Sequence, residues 1–166
     1  MIMASDHSMD IEVNFDFQEL KNAVEQAKKE AINRFDLKDA GIEVELSEEN
    51  LKLTAKAEIN IESVYGILTK KMIGRSLSPK ILDRGEVKEI GGMKVRQECK
   101  LVAALDQENA KKISKMIREE YPKSKASIQG ETVRVVSKSI DDLQAMMAML
   151  NADESIELPL SFVNFK

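Results

Sequence analysis

The chain has no tryptophan, one histidine and one cysteine among its 166 residues, and each shortage narrows what it can do. The lone cysteine, Cys99, leaves no internal disulfide, and its place in an alternating apolar run fits a buried structural thiol better than a reactive one. The lone histidine, His7, lies in a start expected to be disordered, which leaves no basis for a histidine metal site or a histidine-dependent catalytic dyad. Aromatic residues are 4% of the total, so the core must be aliphatic and few rings remain for stacking on bases. Seven glycines, at 41, 66, 74, 85, 91, 92 and 130, fall into neither the P-loop nor the Rossmann spacing. No apolar run approaches the roughly 18 residues of a membrane span, and the opening MIMASDHSMD lacks the charged and apolar regions of a signal peptide. A cytoplasmic protein with no membrane partner is expected.

What is present is a globular composition, 43% hydrophobic and 33% charged, in a length that suits one ordinary domain or two compact ones. The net charge of −4 argues against a general polyanion binder, but the charge is unevenly spread. Residues 1–69 carry 7 basic against 15 acidic side chains, residues 70–138 carry 17 against 9, and residues 139–166 carry 1 against 5. A basic middle between acidic ends can build a local surface that attracts anions.

Strand and helix periods alternate in an order that repeats. Ile11, Val13 and Phe15 alternate as in a strand, followed by the helical spacing of Leu20, Ala23, Val24, Ala27 and Ala31, with Asp16 as cap and Glu19 placed to reach back in a capping box. Ile42, Val44 and Leu46, then Leu51, Leu53 and Ala55, predict a hairpin across the polar turn at 47–50. A second helix fits Ile61, Val64, Ile67, Leu68 and Met72, with Asn60 as cap and Gly74 closing it in the left-handed conformation, and a short strand follows near Ile81 and Leu82. Residues 83–92, charged and holding three glycines, read as a linker or an open hairpin.

The same order returns in the second half. A long strand over 93–105 precedes a helix capped by Asp106 with Ala110, Ile113, Ile117 and Tyr121 inward, stopped by Pro122. A hairpin turns at Gln129 and Gly130, a helix capped by Ser139 turns Leu143, Met146, Met147 and Leu150 inward, and Ile156, Leu158, Leu160 and Phe162 form the last strand, which Pro159 assigns to a sheet edge. Each half thus spells β-α-β-β-α-β, the α+β layering called ferredoxin-like.

The run SIQGETVRVVSKSIDDLQAMMAML at 127–150 closely resembles the YajQ family, as do SMDIEVNFDFQELKNAV near the start, RFDLKD at 34–39 and the terminal LSFVNFK. The resemblance covers nearly the whole chain. It implies tandem ferredoxin-like, RNP-like βαββαβ domains with exchanged first strands: a 16–105 domain completed by strand 93–105, and a 106–166 domain completed by the amino-terminal strand 9–15. It also implies a nucleotide-binding protein; some family members are described as binding RNA, some as sensing cyclic di-GMP, and none has an assigned reaction.

The residues themselves offer charge rather than catalytic groups. Asp141 and Asp142 are adjacent carboxylates, but the first turn of a helix favours negative charge, so they read as part of a helix start and not as an acid-base pair. The glycine-aromatic motif of RNA recognition modules is missing from 131–138, so RNA binding would rest on cations. Strand alternation puts Lys52 and Lys56 on one outward face, Lys94, Arg96 and Lys100 on another, and Arg134 and Lys138 on a third. If the strands are exchanged, the first five share one sheet surface. The competing reading is a solvated face whose cations pair with Glu43, Glu45 and Glu98. Arg34 and Lys38 flank the end of the first long helix, where free carbonyls favour cations, and a guanidinium at Arg34 can also grip phosphate at two points. The expected function is therefore non-enzymatic: a regulator that binds a nucleotide of the GTP or cyclic di-GMP type, or RNA, without a cofactor or metal. A regulatory protein is a further expected partner, and the alternative is a protein-interaction module with no nucleic-acid ligand.

Overall fold

The structure, a computed structural model, describes residues 6–166; the first five positions of the opening tested for a signal peptide lie outside the described residues. In chain order the elements are β1 (His7–Val13), α1 (Phe17–Asn33), β2 (Glu43–Leu46), β3 (Asn50–Ala55), α2 (Glu58–Gly74), β4 (Leu82–Ile90), β5 (Lys94–Leu101), α3 (Gln107–Glu120), β6 (Lys125–Gln129), β7 (Thr132–Ser137), α4 (Ile140–Ala152) and β8 (Leu160–Val163). They divide into two units, Phe15–Val102 and Ala103–Lys166 joined by the amino-terminal strand.

In the unit Phe15–Val102 the antiparallel sheet has the order β2-β3-β5-β4, and α1 and α2 cover one face. Alternation sends Val44, Leu51, Leu53, Cys99 and Leu101 inward, where they meet Leu20, Val24, Ala27, Ile61, Leu68 and Met72 of the helices. Asp16 caps α1 as expected, its Oδ1 accepting from the amides of Gln18 at 2.9 Å and Glu19 at 3.3 Å. Glu19 does not close a capping box; its carboxylate accepts from Asn22 and Arg75. The second helix differs at both ends from its expected caps. It begins at Glu58, after Ala57, so Asn60 lies inside the first turn. The left-handed residue that closes it is Ser76 (φ 63), not Gly74, because the buried Leu77 folds back to donate its amide to the Met72 carbonyl at 2.9 Å.

Residues 83–92 form a hairpin arm and not a linker. β4 runs to Ile90, and Gly92 (φ 78) and Met93 (φ 60) turn the chain into β5. The register shifts between Arg84 and Val87, a bulge that Gly85 permits: a Cβ there would stand 2.8 Å from the Glu98 carbonyl oxygen. β5 stops at Leu101, short of the expected 105, once the Val102 amide has turned to the Ile81 carbonyl at 2.9 Å.

The other unit has the strand order β6-β7-β1-β8, with α3 and α4 packed on its inner face. Met9, Ile11, Val133 and Val135 are buried, as are Ile113, Ile117, Leu143 and Met146 of the helices. Asp106 caps α3 through the Asn109 amide at 2.8 Å, and Ser139 caps α4 through the Asp142 amide at 3.1 Å. His7 does not lie in a disordered start but opens β1, opposite Ser137. β8 is the expected edge strand but begins only at Leu160. The proline before it has no amide to donate, and the Leu160 amide turns back on Leu158 at 3.0 Å, leaving Ile156 and Leu158 buried in irregular chain.

In each sheet the central place that the first strand of a βαββαβ fold takes is filled from elsewhere in the chain. β5, at the carboxyl end of its unit, lies between β3 and β4, and β1 crosses from the amino terminus to lie between β7 and β8. The exchange of first strands implied by the family resemblance is present.

Candidate functional site

The exchange carries the basic strand 94–101 into the sheet of Lys52, and the register fixes what each cation faces. On the face turned away from the helices, β5 presents Lys94, Arg96, Glu98 and Lys100, while β3 presents Lys52 and Thr54, with Lys56 directly beyond the strand. The five expected cations do share this face, but they divide. Lys52 lies between Glu45 and Glu98, and Lys100 faces Asp83, so that end has carboxylates opposite its lysines. At the other end Arg96 has Thr54 on one side, bonded from Nε to Oγ1 at 3.0 Å, and Lys88 on the other. Lys94 faces Ile90. Lys56 and Lys94 converge over Gly41, their Cγ and Cε lying 3.5 and 3.7 Å from where a Cβ on that glycine would be.

The ion pairs of the solvated-face reading are not formed. Among the described residues none of Lys52, Lys56, Lys88, Lys94, Arg96 and Lys100 is in an ion pair, and Glu98 accepts from the Asn50 side chain at 2.8 Å. The result is a corner of four cations, Lys56, Lys88, Lys94 and Arg96, none of them in an ion pair among the described residues, with Glu43 of β2 across Thr54 on the same face. Lys88 was not among the residues expected here. Its strand is exposed over most of its length and interrupted by a bulge, which hides the period-two signal; the only hint is Val87 and Ile90 within a charged run.

Arg34 and Lys38 lie at this same end of the unit, on the connection from α1 to β2. Arg34 caps α1 with its backbone, while its guanidinium binds Asp36 at two points, Nε to Oδ1 at 3.0 Å and NH2 to Oδ2 at 2.6 Å. That bond raises the pKa of Arg34 and lowers that of the Asp36 carboxyl. The two-point grip expected for phosphate is therefore taken up within the chain. Lys38 is exposed and unpaired among the described residues. Between these two basic residues the ring of Phe35 is 94% exposed.

Arg134 and Lys138 belong to the other unit's sheet. Arg134 stands opposite Asp10, which is buried, and donates to it from Nε at 2.9 Å while the Asn164 side chain donates at 2.9 Å. The Arg134 hydrogen bond, followed by that of Asn164, outweighs burial and holds the Asp10 carboxyl below its ordinary pKa. Arg134 is thus the counter-ion of a buried carboxylate, and Lys138 lies exposed just past β7.

Burial pushes the Cys99 thiol up to about 11, so it stays protonated and unreactive near neutral pH. Beside it Arg84 lies 3.8 Å over the Tyr65 ring, binds Glu62, and donates to Gln97, whose own amide donates to the Gly85 carbonyl at 2.8 Å. These contacts hold the bulge. Among the described residues no cluster of three or more His, Cys, Asp or Glu side chains could hold a metal ion.

Comparison with known proteins identifies the family. The family model described as nucleotide-binding protein YajQ-like matches residues 7–166. A nucleotide-binding protein of Trichodesmium erythraeum is 45% identical over 164 residues, covering 99% of this chain and all of the relative. One from Nostoc punctiforme is 47% identical over the same length and coverage, and one from Chloroflexus aurantiacus 43% identical over 165 residues. With a match that runs from the first strand to the last residue and relatives that align from end to end, the chain belongs to the YajQ-like family.

Proposed function

We propose that the protein is a non-enzymatic regulator that binds a nucleotide, of the GTP or cyclic di-GMP type, or single-stranded RNA, in the cytoplasm. The observation that carries this reading is the corner formed by Lys56, Lys88, Lys94 and Arg96, whose charges no carboxylate neutralises through an ion pair among the described residues. Phosphate is the natural counter-charge for such a cluster, and amines on flexible stems with one hydrogen-bonded guanidinium suit a phosphate group better than a planar carboxylate. The names of the family and of its relatives support the nucleotide part of the reading.

The test is a titration with GTP, cyclic di-GMP and a short single-stranded RNA, followed by backbone amide shifts. Shifts in β3, β4 and β5 around Thr54, Lys88 and Arg96 are expected. Shifts confined to the unit Ala103–Lys166, or none with any of the three ligands, would overturn the proposal. A second reading, a protein-interaction module, draws on the large apolar side chains left on the surface, with Phe35 94%, Met93 93% and Ile59 73% exposed. It predicts no response to any of the three ligands.

A further inference from the structure

The most exposed large apolar side chain among the described residues is the ring of Phe35, in a chain with few rings to spare. Exposing a phenyl ring forgoes the burial that ordinarily places phenylalanine inside a fold, and it leaves both faces of the ring open to a partner. Its backbone is not loose. Arg34 closes α1 with its amide on the Glu30 carbonyl at 3.0 Å, the Leu37 amide bonds to the Arg34 carbonyl at 3.1 Å, and the Ala40 amide bonds to the Leu37 carbonyl at 3.1 Å. Leu37 and Ala40 are buried, anchoring the turn from beneath. The ring is therefore presented on a fixed support, which lowers the entropy lost when something stacks on it.

The strand register brings the ring and the cation corner to one end of the unit. The α1 to β2 connection leads into β2 at Glu43, opposite Thr54 near the end of β3, and Ala55 faces Val95 at the start of β5. The same connection ends at Ala40 and Gly41. The Ala40 carbonyl accepts the Lys56 amide at 2.8 Å, and the side chains of Lys56 and Lys94 lie over Gly41. Arg34 and Asp36 neutralise each other, which leaves Lys38 and Asp39 on the loop itself, with Lys56 and Lys94 over Gly41 and Glu43 opposite Thr54 where the loop enters β2.

We infer that Phe35 is the base-stacking platform of a one-nucleotide site, with the base on its ring and the phosphate on Lys56 and Lys94. The inference rests on the nucleotide-binding reading above and adds to it where the base goes. A platform outside the sheet explains how a protein with no aromatic side chain on the open sheet face in β3 and β5 can hold a nucleotide by more than charge. An aromatic face accepts any base, so the site discriminates little between bases.

Three variants test it: Phe35→Ala, Phe35→Trp and Lys56→Glu, with GTP and a short single-stranded RNA as probes and calorimetry as readout. Phe35 is exposed, so its replacement leaves the core intact. Phe35→Ala is expected to lose roughly ten- to a hundredfold in affinity, the range one stacked base supplies. Phe35→Trp should retain binding, and as the only tryptophan in the chain its emission should be quenched by either probe. If Lys56→Glu weakens binding while Phe35→Ala does not, the stacking site is overturned and the charged corner stands. If the unaltered protein binds neither probe, the nucleotide reading falls and the stacking site falls with it.

Discussion

Lys88 and Arg96 stand directly opposite each other on β4 and β5, two like charges in register with no ion pair among the described residues to relieve either. Like charges placed across a strand pair destabilise it, so a sheet that keeps them gives up stability at that point. Lys88→Glu is therefore expected to move stability and binding in opposite directions. Thermal unfolding should show a gain of about 0.2 to 1 kcal/mol, while affinity for GTP falls roughly tenfold. Loss of both would mean that Lys88 has a structural role that the register does not show.

Binding of single-stranded RNA should weaken steeply with salt, because each phosphate contact releases counter-ions and adds about 0.7 to the slope of log affinity against log salt. Arg96→Gln should lower that slope by roughly one contact. Lys52→Gln should lower it less, since Lys52 lies between Glu45 and Glu98. Equal effects from the two variants would remove the distinction between the two ends of the face.

Asp36→Asn removes the carboxylate that occupies the Arg34 guanidinium. With the fork released beside the proposed platform, affinity for GTP should rise by about three- to tenfold. Unchanged affinity, measured by calorimetry, would place Arg34 out of reach of the ligand.

Asp10 gives the protein an acid-sensitive contact. Its folded carboxyl lies below the ordinary 3.8, so the folded chain releases that proton more readily than the unfolded chain does. The stabilisation is complete above the ordinary value and is lost as pH falls through the lowered one. Asp10→Asn should unfold more easily in urea at neutral pH, and its deficit should shrink as pH drops below the ordinary carboxylate range. Removing the partner with Arg134→Ala should cost about 1 to 3 kcal/mol at pH 7, because it strips a charge-assisted bond from a buried carboxylate. A deficit of Asp10→Asn independent of pH would show that packing, not charge, is what the residue contributes.

Gly85→Ala should cost about 1 to 3 kcal/mol, since the added carbon meets a backbone oxygen that cannot move aside without breaking the β4 to β5 ladder. Gly91→Ala serves as the control, with no atom within 4 Å of the added carbon. Similar melting temperatures for the two variants would show that the bulge can relax.

Much of the fold could be read from residue periods. The alternation of Leu51, Leu53, Cys99 and Leu101 located two central strands, and Asp16, Asp106 and Ser139 marked three helix starts that the structure keeps. Of β4 only the start near Leu82 and the hairpin alternative for 83–92 could be read, because a mostly exposed edge strand need not alternate and its bulge shifts the phase between Arg84 and Val87. That loss hid Lys88. Phe35 escaped for the reverse reason: a phenylalanine is ordinarily taken for core, and its exposure appears only once Leu37, two residues on, is seen to take the buried place. The pairing of Arg34 with Asp36 and of Arg134 with Asp10 depends on side-chain geometry that spacing does not specify. Exchange of the first strands was carried by resemblance to a family; no period along the chain could have indicated it.

Because β1 is synthesised before any of its partners, the chain has an order of assembly written into it. Residues 15–102 hold every strand of their own sheet and can close as soon as Leu101 is available. β1 must wait: Asp10 and Arg134 are 124 positions apart, and β8, which joins the sheet only through β1, comes later still. During synthesis the apolar residues Met9, Ile11 and Val13 therefore leave the ribosome well before β7 and β8 and are among the last to be covered, which leaves the strand open to wrong pairing until Val133 and Val135 arrive.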